Sequence, residues 1–463
     1  MTWRVPALLG GLGALATLLA ALAGASTGWW LSLGAVTGVV LLLTALDWLA
    51  AAPAGEVRLA RSGARRVRLG ESARVTLTVT NTSVRTLRGL VRDAWVPSAG
   101  AGAPYAHPIL LDPGESVDVV TTLTPTRRGD RPAARVTIRS YGPLGLAFRQ
   151  TGRRRAAALT PPWTLTALPP FASRRFLPEK LSRLRIIEGR AVTRGRGQGT
   201  EFDSLREYVV GDDVRSIDWR GTARREHVAV KTWRPERDRR VLCVIDTGRT
   251  SAGRVGTVAP VADGPVSGTT PDGVAAGEPR LDAAIDAALL LATLATQAHD
   301  RVDLLAVDAE VRARVPASTA RDQLARLTRA LAGLRPALVE TDFARVVAEV
   351  LRIERKRALV VIFTTLDPGA LGDGLLPVLP RLVARHTVML AAVHDPSLEA
   401  LAAARDGTAA LHTAAAAERS LAELDRVRAA LSRSHVHVVD APVETFASAV
   451  ADRYLALKAA GRL

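Results

Sequence analysis

Carboxylates are the groups in this 463-residue chain whose grouping could support chemistry. Asp212 and Asp213 stand side by side, with Asp218 close behind. Such a set could hold a divalent metal and serve a hydrolase. No nucleophile or base lies at a characteristic spacing from it. The competing reading is structural: one Asp caps a short helix or turn, and the others meet Arg215, Arg220 and Arg224. The single cysteine, Cys243, sits in an apolar run and reads as a packed thiol, so a disulfide framework or a cysteine metal site is excluded. His386, His394, His435 and His437 are scattered among apolar strands or their ends, without the spacing of a zinc motif. There is no Walker loop and no nucleophile elbow. The Gly-rich run 195–199 lacks a strand before it and a helix after it. This inventory favours a protein that is not an enzyme.

The elements that must position these residues follow from periodicity. Residues 238–463 alternate apolar strands with amphipathic helices. Strands are expected at 240–246, 301–307, 309–315, 358–364, 387–393 and 435–439, with 309–315 as an edge. Helices are expected at 281–298, 320–334, 343–354, 417–432 and 444–460. Continuous apolar strands imply a mostly parallel sheet covered on both faces. Ligands of such sheets bind beyond the carboxyl ends of the strands, which directs attention to Asp246, Thr364 and Asp395. Between 251 and 280 the chain is rich in Gly, Pro, Ala and Thr and reads as a flexible insertion.

Residues 171–237 are dense in Lys and Arg, but Glu and Asp are interleaved with them. The pattern suits an internally paired ionic network, with Gly211 making a turn and Trp219 and Trp233 packing, better than a phosphate-binding strip. Residues 53–170 carry short runs of alternating, β-branched sequence at 75–79, 116–123, 134–139 and 156–159. Turn signals fall at 81–83, 112–114 and 128–130. A small immunoglobulin-like β-sandwich is expected, acting as a spacer or docking module.

Residues 1–52 contain two long apolar runs, 5–25 and 29–50, the second broken only by Asp47 near its end. Each is long enough to span a bilayer core of about 30 Å. The link 26–28 allows only a tight hairpin, and Trp29, Trp30 and Trp48 suit the interface. Arg4 precedes the pair and Arg58, Arg61, Arg65, Arg66 and Arg68 follow it. The positive-inside rule then places the bulk of the chain in the cytoplasm, at the inner (plasma) membrane. The formal net charge is +17, which favours acidic partners: nucleic acid, anionic lipid or an acidic protein surface.

The run 201–224, Glu-Phe-Asp-Ser-Leu-Arg-Glu-Tyr-Val-Val-Gly-Asp-Asp-Val-Arg-Ser-Ile-Asp-Trp-Arg-Gly-Thr-Ala-Arg, followed by Thr-Trp-Arg-Pro-Glu-Arg at 232–237, closely resembles the signature of bacterial domain-of-unknown-function family 58. Its positions include Arg206, Tyr208, Gly211, Asp212, Asp213, Arg215, Asp218, Trp219 and Arg224. The order of parts agrees: a membrane hairpin, a sandwich ending in Arg-Arg-Gly at 127–129 and Tyr-Gly-Pro-Leu-Gly-Leu at 141–146, the signature, then an α/β domain. The resemblance implies a von Willebrand factor A-like (Rossmann-like) domain and a MoxR-type AAA+ ATPase as partner, in assembly of complexes or maturation of the envelope.

That fold's usual metal site is Asp-x-Ser-x-Ser, a loop Thr and a later Asp, which together hold Mg²⁺. Asp246 and Thr250 match the first motif, but Gly248 replaces its first hydroxyl. Thr341 matches the loop Thr. Thr365 stands where the later Asp is expected, with Asp367 displaced by two residues. The expectation is thus a multidomain, membrane-anchored interaction protein with a degenerate Mg²⁺ site at Asp246, Thr250, Thr341 and Asp367. No nucleic-acid partner is expected. The alternatives are a metal-dependent hydrolase built on the Asp-rich signature, and a nucleic-acid or anionic-lipid binding protein.

Overall fold

A computed structural model describes the whole chain except residues 1, 3, 23–27, 195–200, 210–213, 225–226, 235–238, 256–276 and 404–406. The chain divides into two units, Met1–Leu168 and Pro169–Leu463.

The first unit begins with two helices, α1 (Arg4–Leu22) and α2 (Gly28–Ala50). They lie side by side and antiparallel: Val5 packs with Val40, and Gly13 comes close to Leu33. Among the described residues one stretch, Trp30–Ala50, is long and apolar enough to cross a membrane, and the apolar part of α1, Arg4–Leu19, is shorter. Most of the apolar side chains of α2 face outward, among them Leu31, Val39, Leu42 and Leu46. Asp47, which interrupts the apolar run, is buried. Its carboxylate accepts hydrogen bonds from the backbone N–H groups of Leu144, Leu146 and Ala147 at 2.7–2.8 Å. A Cβ at Gly142 would lie 2.2 Å from Asp47 Oδ1, so only glycine lets this loop reach the helix.

The strands that follow are β1 (Val57–Gly63), β2 (Arg66–Arg68), β3 (Ala73–Asn81), β4 (Leu87–Trp95), β5 (His107–Leu111), β6 (Ser116–Leu123), β7 (Gly129–Tyr141) and β8 (Phe148–Gln150), then helix α3 (Arg153–Leu159) and β9 (Thr164–Leu168). One sheet has the order β1-β3-β6. The other has β2-β9-β7-β4-β5, with β8 paired to β7. Alternation sets which face turns inward: Ala73, Val75, Leu77 and Val79 of β3 are all buried. Leu77, Val79 and Val119 from the first sheet meet Leu87, Val91, Ile109 and Ile138 from the second in one core. The expected turns at 81–83 and 112–114 are in place. Asn81 Oδ1 accepts from the Ser83 backbone, and Gly114 takes a left-handed φ of +82°.

The strand expected at 156–159 is a helix instead, α3. The run Arg-Arg-Arg-Ala-Ala-Ala-Leu lacks β-branched residues, and alanine is the best helix former. Of the arginines after α2, Arg61 is buried against Asp93 and Arg65 stacks on Trp163, its Cζ 4.0 Å from the ring centroid.

The second unit begins with helix α4 (Leu177–Arg194), which the sequence reading left inside the charged stretch. Leu184 of α4 is buried in the main core, with Leu177, Leu181 and Ile187 packed against it. The signature segment follows as strand β10 (Glu201–Glu207), a short helix α5 (Trp219–Thr222) and strand β11 (Ala229–Arg234). The two strands pair antiparallel, Arg206 opposite Val230.

The central sheet uses β12 (Arg240–Asp246), β15 (Arg301–Val307), β16 (Val311–Val315), β17 (Leu359–Phe363), β18 (Thr387–His394) and β19 (His437–Pro442). The small strands β13 (Arg254–Val255) and β14 (Glu278–Pro279) fall between β12 and β15 in the chain. The order is β16-β15-β12-β17-β18-β19, parallel throughout except for the antiparallel edge β16. Along β12, Val241, Cys243 and Ile245 face one core and Leu242 and Val244 the other. Helices α6 (Arg280–Gln297) and α12 (Val443–Ala459) cover the first face. The second face is covered by α8 (Phe343–Ile353), the short α9 (Leu379–Val383) and α11 (Thr408–Arg433). Helix α7 (Ala320–Ala332) lies beside α6, and α10 (Ser397–Ala403) precedes α11. Cys243 is buried as expected, and burial, followed by the charge of Asp303, pushes its thiol up to about 12.

The insertion expected to be flexible over 251–280 is ordered at its two ends. Arg254 pairs with Pro279 and Val255 with Glu278, closing its base, and Arg280 already opens α6. Turn residues at both ends concealed this ladder in the sequence.

Candidate functional site

The strand order of this sheet reverses between the parallel neighbours β12 and β17, whose successors run outward to opposite sides. Asp246 ends β12 at that point and is 4% exposed. Four donors of the chain converge on its carboxylate. Oδ1 accepts from Gly248 N at 2.8 Å and from Thr341 Oγ1 at 2.5 Å. Oδ2 accepts from Thr364 Oγ1 at 2.6 Å and from Thr250 Oγ1 at 3.3 Å.

Each donor is held by a different element. Thr250 lies in the 3₁₀ turn after β12. Thr364 follows β17 directly, its backbone N–H bonded to Ala391 O of β18. Thr341 belongs to the loop ahead of α8, which is tied to the β12 loop by Arg249 N→Val339 O and Ala337 N→Thr247 O. An Arg249–Glu340 ion pair at 2.6 Å adds to this clamp, and Asp342 caps α8 by accepting from Arg345 N. A second carboxylate, Asp308, is fully buried behind the loop. Burial pushes its pKa up, but hydrogen bonds from Arg312, Glu310 N and Thr247 outweigh this and hold it below the usual range.

Asp246, Thr250 and Thr341 are therefore brought together as the sequence spacing suggested. Asp367 is not part of this group. Its carboxylate accepts from Ala370 N at 2.8 Å and starts the next helical turn. Thr364, which its position at the carboxyl end of a strand singled out, joins the group by its bond to Asp246. Thr365 Oγ1 is buried and has no partner among the described residues. The cavity against Asp246 is about 10 Å³, on the order of one water. A neighbouring cleft of about 260 Å³ holds Thr365, Asp367, His394, Asp395 and Arg280.

Gly248 has a steric reason. A Cβ there would fall 2.1 Å from Thr341 Oγ1 and 3.1 Å from Asp246 Oδ1. The Thr341 hydroxyl fills the room a serine side chain at 248 would need. Beyond it, Leu338 is 82% exposed and Val339 41% exposed on the same loop.

In the signature segment, Gly211, Asp212 and Asp213 lie outside the described residues. Asp218 caps α5, its Oδ1 accepting from Arg220 N and Gly221 N at 3.1 Å, with Lys231 Nζ 3.4 Å from Oδ2. The hydrogen bond from Gly221, joined by Lys231 and Arg220, outweighs burial and lowers its pKa. Asp218 is thus the capping carboxylate of the structural reading, with Lys231 as its ion partner, and the carboxylates expected to meet the arginines lie outside the described residues. Tyr208 N bonds Val228 O, and Arg206 Nη1 bonds Glu207 O. Arg215 and Arg224 are exposed. Trp219, expected to pack, is 67% exposed, because a four-residue helix beside a two-stranded ladder has no second layer to cover it. Among the described residues no group of three or more His, Cys, Asp or Glu side chains is placed to hold a metal.

Uncharacterized proteins Rv1480 of Mycobacterium tuberculosis and Mb1516 of Mycobacterium bovis are each 30% identical over 207 residues, which is 43% of this chain. The matched region spans 56% of each relative's length. Among solved structures, the SpRpn10 VWA domain matches over 46% of this chain and 94% of its own, at 10% identity and a TM-score of 0.25. A FixG-related protein from Vibrio parahaemolyticus matches over 24% of this chain and 96% of its own, at 9% identity and a TM-score of 0.17. The family described as "Protein of unknown function DUF58" matches residues 204–259 and 271–438, a span that contains the signature from residue 204 onward, Asp246, Thr250, Thr341 and Thr364. The chain belongs to that family of proteins of unknown function.

Proposed function

We propose that this is a membrane-anchored interaction protein whose sheet-end rim docks a protein partner, with a MoxR-type AAA+ ATPase as the partner the family resemblance implies. One observation carries the reading. Asp246, the buried carboxylate that ends β12, is saturated by four of the chain's own donors, and the loop that supplies one of them carries an exposed leucine. A carboxylate so engaged stabilises two loops and is poorly placed to take a proton or a substrate.

The same geometry does not suit Mg²⁺. That ion keeps several waters and is usually held by one or two carboxylates. Here there is one carboxylate, room on the order of one water, and the Arg280 side chain on the same cavity wall. Both N-terminal helices are read as crossing the bilayer, with Arg4 and the arginines after α2 on the cytoplasmic side, where an ATP-driven partner works. Complex assembly or envelope maturation would then be the task.

The test uses full-length protein solubilised in detergent and co-expressed with the ATPase. The wild type is expected to co-purify with it, and Leu338→Glu, at an exposed position, to reduce recovery roughly tenfold. Equal recovery from both proteins would sink the assignment of the rim.

A further inference from the structure

The first unit carries a cationic cavity that the interaction reading does not use. It has a volume of about 440 Å³, and Arg4, Arg88, Arg139, Tyr141 and Phe148 are among its lining residues. Three guanidinium groups share this cavity, and among the described residues no carboxylate lines it. Arg4 donates to Leu144 O at 3.3 Å, and Arg139 donates to the neutral Gln150 side chain at 2.7 Å. Arg88 is exposed and has no partner among the described residues. Like charges gathered without a counter-charge repel one another, and an anion placed among them relieves that repulsion. Arginine's planar fork also matches the oxygens of a phosphate.

Its place in the fold says which anion. Arg4 is the first residue of α1, and the loop that walls the cavity is latched to Asp47, near the end of α2. Around that same end, Arg149 stacks on Trp48 at 4.4 Å and Arg85 donates to Leu49 O. The cavity therefore opens where the apolar helices stop, which is the depth of lipid headgroups. The edge-to-face rings of Tyr141 and Phe148, 6.0 Å apart, offer an apolar wall for a glycerol backbone.

We propose that this cavity binds the phosphate headgroup of an anionic phospholipid, fixing the β-sheet module against the membrane surface. The inference rests on the reading that α2 spans the bilayer. The ligand chemistry, a phosphate ester, is shared with free phosphate, and the lipid is the source proposed.

The test titrates detergent-solubilised full-length protein with dioctanoyl phosphatidylglycerol, dioctanoyl phosphatidylcholine and inorganic phosphate. Phosphatidylglycerol is expected to bind saturably and roughly tenfold tighter than phosphatidylcholine, and Arg88→Gln and Arg139→Gln each to weaken it about fivefold without moving the melting temperature. Equal binding of the two lipids, or no effect of either variant, overturns the site. Inorganic phosphate binding as tightly as the lipid overturns the lipid assignment. Alkaline extraction of membranes is read separately: if the wild-type chain is released, the spanning reading fails, whatever the titration shows.

Discussion

Gly248 and Asp246 together decide what the switch point can do. Gly248→Ser should not restore a metal site, because its side chain would collide with Thr341 Oγ1. We expect the variant to lose about 1–3 kcal/mol of stability, read as a lower denaturant midpoint. Calorimetric titration with Mg²⁺ should give the same flat trace for wild type, Gly248→Ser and Asp246→Ala. A saturable wild-type signal lost in Asp246→Ala would contradict this. A different residue responds to pH. Burial, with Asp282, Asp286 and Glu444 nearby, pushes Glu278 up to about 7 from an ordinary value of 4.5. The folded state then holds this proton more tightly than the unfolded chain does. Its contribution to stability is present at low pH and lost as pH rises from about 4.5 through about 7. Glu278→Gln should therefore be more stable than wild type at pH 8 and flatten the decline between pH 5 and pH 7. Equal melting of the two proteins across that range would refute the burial of this carboxyl. At this scale the sequence was half legible. Types and spacing found Asp246, Thr250 and Thr341. Its place at a strand end singled out Thr364, but not its bond to Asp246, because convergence across two neighbouring strands is a property of the sheet; Asp367 was grouped with them although its capping bond is purely local.

At the scale of elements, periodicity worked where burial was two-sided. The parallel strands at 240–246 and 301–307 have the bounds that their apolar runs imply, since most of their residues are buried on both faces. It failed where one face was covered weakly or the composition misled. Helix α4 was hidden by its arginines, although Leu177, Leu181, Leu184 and Ile187 repeat at helical spacing. Helix α3 was read as a strand because a short alanine run carries no period. The latch between α2 and the loop at 142–147 could not be read at all, since Asp47 and Gly142 lie nearly a hundred residues apart. Asp47→Ala leaves three backbone donors, two of them buried, without this acceptor. It should cost about 1–3 kcal/mol and speed proteolysis of that loop in detergent. Unchanged cleavage would mean the latch contributes nothing to the order of the loop.

At the scale of the molecule, the account joins an apolar anchor to an α/β unit whose rim is closed chemically but open sterically. The net charge of +17 reads differently once some arginines are assigned. Arg61 is consumed by Asp93 and Arg65 by Trp163, while Arg4, Arg88 and Arg139 remain around a cavity. Charge counted along the chain could not separate these roles, because pairing depends on which strands meet. The central claim, that the rim of a membrane-held chain is a docking surface for an ATPase, is tested most directly by crosslinking inside the cell. A photoreactive amino acid placed at 338 of the full-length protein should yield, in the membrane fraction, an adduct containing a MoxR-type AAA+ ATPase. Recovery of the protein in the soluble fraction, or a membrane fraction in which position 338 forms no ATPase adduct, would contradict the account.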